Sequence, residues 1–151
     1  LISESYGKGN KKDVSRVYTY SIITSVTLFA VIYVVVAGFT SQLVSLFNSE
    51  GVVELAGFAY TGIRIYFIGF LFAGFNIISA GYFSAVEMAK ESFVVSVLRG
   101  FVLMIGISIT LSRLFGMNGV WSSFPVSEGI TSAVCIGFII CAGLKKKAAV
   151  R

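Results

Sequence analysis

RIYFIGFLFAGFNIISAGYFSAVEMAK, residues Arg64–Lys90, decides the fold. Between Ile65 and Val86 it carries no charge. Those roughly 22 positions make a helix of about 33 Å, matched to the ~30 Å hydrocarbon core of a bilayer. Small residues recur four apart, at Gly69 and Ala73, Ala80 and Ser84, Gly81 and Ala85. That spacing lets helix backbones approach closely in lipid. Asn76, Ser79 and Tyr82 stand among them, and their polar groups need partners or water at that depth. The stretch is either a helix buried at its small-residue contacts or one that lines a polar cavity.

Outward from this stretch the chain keeps the same character. Of its 151 residues 56% are hydrophobic and only 13% charged, with a mean hydropathy of +0.90. A soluble domain carries about a quarter charged residues, so this composition specifies a membrane protein whose solvent is the lipid bilayer. Long unbroken apolar runs and a single proline indicate helices, because barrel strands show only short alternating segments.

Four spans are predicted, near 17–47, 55–86, 92–113 and 119–144, between a polar opening loop (1–16) and a basic tail (145–151). The turn Gly116-Met117-Asn118-Gly119 separates the last two. An even number of spans puts both ends on one side. Lys8, Lys11, Lys12, Arg16, Lys90, Arg99, Lys145, Lys146, Lys147 and Arg151 then share that side, leaving Arg64 and Arg113 on the other. This bias makes both ends cytoplasmic and the Glu50 and Gly116 connections external. Tyr18, Tyr20, Tyr60, Tyr66 and Trp121 fall near the inferred boundaries, where an aromatic belt belongs.

The net charge of +5 has the same explanation. Its bases cluster at span ends rather than on a binding face, so no nucleic-acid partner is expected. With no histidine in the chain, His-based catalysis and the usual zinc sites are excluded. Cys135 and Cys141 read as ordinary thiols of one apolar helix. No nucleophile elbow or P-loop occurs, so neither an enzyme nor a cofactor is expected. A chain that starts at Leu1 with no signal-peptide pattern reads as a fragment or a truncated gene product.

Three charged positions need individual readings. Glu87 and Glu91 flank Lys90 and read as a solvated helix end. Arg99 reads as an interfacial anchor, one or two turns into the third span. Glu128 is the one acid inside an apolar helix, about 12 Å past Val120. A carboxylate at that depth is costly unless it is paired, protonated or facing water. Pro125, three residues earlier, cannot donate its backbone hydrogen bond and would leave the Trp121 carbonyl free. Two roles remain open for Glu128 with Pro125: a proton- or ion-coupling element at a hinge, or a fixed hydrogen bond to a neighbouring helix.

Read together, these pieces resemble the C-terminal third of multidrug and toxic compound extrusion (MATE) transporters. Ser5–Arg16, SYGKGNKKDVSR, is similar to that family's loop after the eighth helix, with Lys8 where the family usually has alanine. Arg64-Ile65-Tyr66, Gly69-Phe70, Gly74-Phe75-Asn76 and Tyr82-Phe83-Ser84-Ala85 resemble its tenth helix. Ser96-Val97-Leu98-Arg99 resembles the junction into the eleventh, and Phe115–Trp121 with Phe124–Glu128 the turn and start of the twelfth.

The resemblance implies helices nine to twelve of a twelve-helix protein, completed by the remaining eight helices. It also implies export of small cationic or amphipathic compounds across the plasma membrane, by antiport with sodium ions or protons. On that reading Phe72, Phe75, Asn76 and Tyr82 are expected in the substrate cavity, since aromatic faces attract organic cations and an amide can orient them. Two other functions stay in view: a flippase for lipid-linked oligosaccharide, and a small membrane scaffold that transports nothing.

Overall fold

A computed structural model describes residues 1–48 and 52–148. The Glu50 connection and Arg151 lie outside those residues. After a short helix α1 (Ile2–Gly7), Asn10 caps α2 (Lys11–Gly38) by accepting the Asp13 backbone N–H at 3.2 Å. The first long helix therefore starts six residues earlier than the apolar run suggests. It also ends earlier. The run to residue 47 divides into α2 and α3 (Thr40–Phe47), with Phe39 at the break. The Thr40 hydroxyl donates to the carbonyls of Val36 and Ala37, at 2.7 and 3.2 Å. Such back-bonding competes with the helix ladder and bends it just past Gly38.

Helix α4 (Val53–Ala85) holds the opening stretch and packs against α1, α2, α3, α5 and α6. At 33 residues it is about 50 Å long, so it overhangs the hydrocarbon core. Two residues past its end stands Glu87, a non-glycine residue with φ +64°. The chain then climbs through α5 (Ala89–Val97), a π-helical segment (Leu98–Val102) and the first limb of α6 (Leu103–Ala148).

From Ala89 to Gly143 the chain is one apolar 55-residue helical stretch, more than twice what a bilayer needs. It folds back at Gly116, whose φ of 59° and ψ of −134° are the only non-helical values in α6. This is the geometry of the first central residue of a type II′ turn, which belongs to glycine. Contacts then step outward on both sides of the turn. A Cβ on Gly119 would overlap the Leu111 carbonyl, Met104 meets Ser127, and Arg99 meets Glu128. The three apolar stretches thus make four passes. Gly116→Ala is expected to cost about 1–3 kcal/mol through backbone strain alone. The check is thermal unfolding of the purified protein in detergent.

Pairings along the helices fix their directions. Tyr18 meets Ser79 and Tyr82, and Ser25 meets Gly74, so α2 runs antiparallel to α4. Gly62 meets Trp121, Gly69 meets Phe124, Asn76 meets Glu128 and Phe83 meets Phe138. Partner numbers rise together there, so the second limb of α6 runs parallel to α4. The buried face of α4 is Gly62, Gly69, Ala73, Asn76, Ser79 and Phe83, a stripe at steps of three, four and seven.

That stripe explains how the helices hold together. The buried apolar cluster is small: Phe83, Val95 and Cys135. Asn76, Ser79, Ser123, Ser127, Glu128, Thr131 and Ser132 are buried, while Val31, Val34, Val35, Ile105 and Ile109 are exposed. In lipid no hydrophobic drive favours burying Val or Ile between helices, so small residues and hydrogen bonds form the contacts. Of the small pairs in the opening stretch, Gly69 and Ala73 sit at this contact, whereas Gly81 and Ser84 face outward.

Candidate functional site

Three helices bring a polar knot together around Glu128. The carboxylate is 3% exposed and uses both oxygens. Oε1 accepts from Arg99 Nε at 3.2 Å, and Oε2 accepts from Asn76 Nδ2 at 2.7 Å. Asn76 Nδ2 also reaches the Glu128 backbone carbonyl at 2.8 Å, and its Oδ1 accepts from the Ser132 hydroxyl at 2.9 Å. Ser132 in turn donates to the same Glu128 carbonyl at 3.0 Å. Both atoms of the Asn76 amide group are therefore engaged, and Asn76 is fully buried.

Depth makes this knot unusual. Arg99 lies ten residues past Ala89 and Glu128 twelve past Gly116, about 15 and 18 Å along their helices. An ion pair that far along helices apolar enough to cross a membrane is costly and marks a specific task. Arg99, expected as an interfacial anchor, is paired with the buried Glu128. Its helix begins at Ala89 rather than in the nineties, which sinks Arg99 further in. It lies in the π-helical segment, a wider turn of a kind frequent at functional sites.

Beside the knot is a cleft of about 380 Å³, lined by Tyr66, Ser96, Arg99, Met104, Phe124 and Glu128. Tyr66 stacks on Phe124 at 4.4 Å, and Trp121 and Phe70 meet that pair edge-on. Glycine makes this packing possible, since a Cβ at Gly69 would overlap the Phe124 ring and one at Gly62 the Trp121 ring. Pro125 rests against Gly69 and stays within helical dihedral space.

The other residues read as cavity-lining are placed differently. Phe75 packs on the Phe83–Val95–Cys135 cluster. Tyr82 packs there too and meets the Tyr18 ring at 4.7 Å with the planes tilted by 44°. Phe72 is half-buried and lines neither the cleft nor that cluster. Asn76 reaches the site through Glu128 rather than by facing the cleft. Sequence reasoning missed Arg99, Tyr66, Met104 and Phe124. One signal was available: the hairpin at Gly116 pairs the helix carrying Arg99 with the helix carrying the lone acid.

Comparison with known proteins agrees with this architecture. The MatE family profile matches residues 1–110. The multidrug export protein MepA of Staphylococcus saprophyticus is 25% identical over 123 residues, which cover 82% of this chain and 26% of that protein. An inward-facing structure of a multidrug resistance MATE family transporter of the MOP superfamily matches 97% of this chain, with a TM-score of 0.85 and 18% identity. An outward-facing structure of such a transporter matches 96%, with a TM-score of 0.83 and 18% identity. The chain spans 34% and 33% of those two structures, about a third of their length. The resemblance to that family thus holds: with the family's profile on 110 of its residues, the loop and the opening stretch among them, the chain belongs to the MatE family.

Proposed function

We propose that the chain is part of a secondary active multidrug exporter, a transporter and not an enzyme. On this reading it supplies helices nine to twelve of the C-terminal lobe, and the remaining eight helices complete the substrate cavity. Both its ends face the cytoplasm across the plasma membrane. Small cationic or amphipathic compounds leave by antiport with sodium ions or protons. The observation that carries this reading is that one four-pass unit fits the inward- and outward-facing structures almost equally, at 0.85 and 0.83. A unit that keeps its shape between two states is what rocking of one bundle against another requires.

Within that unit Glu128 serves as a fixed staple. Its oxygens are held by Arg99 and Asn76, and these contacts favour the hydrogen-bonded role over a freely titrating one. Coupling then rests on acids elsewhere in the transporter, and Pro125 shapes the helix without hinging it. The flippase reading calls for several cations facing the cavity, whereas among the described residues the cleft is lined by one, Arg99.

Drug sensitivity of an exporter-deficient strain tests the proposal. The full-length gene product should raise the inhibitory concentration of a cationic dye several-fold, and residues 1–151 alone should not, because one wall of the cavity is missing. Equal resistance from the 151-residue chain would mean a small oligomeric transporter instead.

A further inference from the structure

The cleft beside the knot has an electrostatic asymmetry that runs against an organic-cation site. Among the described residues its lining holds two charges, Arg99 and Glu128. They are not equally available. The Glu128 side chain is 3% exposed and both its oxygens are engaged, while the Arg99 side chain is 25% exposed. Arg99 gives only its Nε–H to Glu128, and among the described residues its Nη groups meet no acceptor. The charge a solute meets in the cleft is therefore the guanidinium. Around it the walls are apolar and polarizable: the Tyr66–Phe124 stack and the Met104 thioether.

We infer that this cleft recognises an aromatic molecule bearing a carboxylate, which pairs with the outward N–H groups of Arg99 while its rings lie against Tyr66, Phe124 and Met104. A guanidinium is the side chain that matches a planar carboxylate with two parallel hydrogen bonds. Glu128, itself held by Asn76, holds Arg99 from behind, so the fork is oriented before a ligand arrives. The volume of about 380 Å³ is at the small end of ligand pockets, room for one fused aromatic system. The inference deepens the export reading and rests on it only in supposing that solute reaches the cleft during the cycle. Arg99 is then a specificity-determining residue.

Equilibrium dialysis of 1-naphthoate against the full-length gene product in nanodiscs tests this, with 1-naphthylmethylamine as the cation of matching size. The native protein should prefer the carboxylate by about tenfold, the worth of one charge-assisted hydrogen bond. Arg99→Lys keeps the charge but not the fork and should weaken naphthoate binding several-fold. The double variant Arg99→Gln/Glu128→Gln removes both charges together, leaves no buried charge unpaired, and should abolish the preference. Equal affinity for the two probes, a preference for the amine, or a preference that survives the double variant overturns the inference.

A lipid phosphate could use the same donors, and dihexanoyl phosphatidic acid distinguishes it. Displacement of naphthoate at about a tenth of the concentration naphthoate itself requires would make this a lipid headgroup site and overturn the aromatic carboxylate. Dye export measured in parallel separates the two readings. Naphthoate binding without export fails the export reading and supports this one, and export without naphthoate binding does the reverse.

Discussion

Arg99→Met is expected to destabilise the protein by about 3–5 kcal/mol, and Arg99→Met/Glu128→Met to recover most of that loss. The reason is the position of Glu128. Its side chain is 3% exposed, so once Arg99 is gone no water replaces it. Asn76 still donates to Oε2 but carries no charge. An unpaired carboxylate in that place costs far more than the pair contributes, since desolvation has already absorbed most of the attraction. Removing both charges ends the penalty and leaves two flexible apolar side chains to fill the space. Thermal unfolding of the purified full-length protein checks this as a double-mutant cycle. If the double variant is no more stable than Arg99→Met alone, the two residues are not coupled and the knot is not an ion pair.

Asn76→Ala should cost about 3 kcal/mol, because it leaves a buried, charged carboxylate oxygen without its partner. Glu128 Oε2 loses its hydrogen bond from Nδ2, while Ser132 keeps the Glu128 carbonyl as its acceptor. Each partner is buried in the seam between α4 and the second limb of α6, where only protein groups can substitute. The change should therefore appear as a fall in folded yield, with the relative potency of different drugs unchanged among the molecules that do fold. A normal yield with an altered drug profile would return Asn76 to the substrate cavity. Its effect should not add to that of Arg99→Met, since both act on the same carboxylate.

Local features of the chain were enough for the architecture. A charge-free run of about 22 residues has one good solution in lipid, a spanning helix, because every backbone polar group must be satisfied within the segment. Gly116 in a short turn between two apolar runs likewise forces a hairpin, and φ of 59° is where the glycine is used. The Ser5–Arg16 loop, the Arg64–Lys90 stretch and the Phe115–Glu128 turn also carried the family resemblance. Boundaries were less legible. The capping amide of Asn10 and the back-bonding hydroxyl of Thr40 move the ends of α2 against what hydropathy alone suggests.

The site was not legible in the same way. Asn76, Arg99 and Glu128 stand 23 and 29 residues apart in the sequence and were read as a cavity amide, an interfacial anchor and an acid with two open roles. Hydrophobic periodicity ranks residues by face and depth along one helix, but it says nothing about which face of another helix lies opposite. That depends on the parallel run of α4 against the second limb of α6, on the close approach allowed by Gly62 and Gly69, and on the π-helical turn that contains Arg99. A one-residue change in the length of the third pass would turn Arg99 by about 100° around its helix and away from Glu128. Composition and local pattern determined that this chain is a helical membrane protein with long apolar passes. Only the tertiary packing decided that its buried acid Glu128 is held by an arginine and an asparagine, because such pairing is set by helix register, which no single helix encodes.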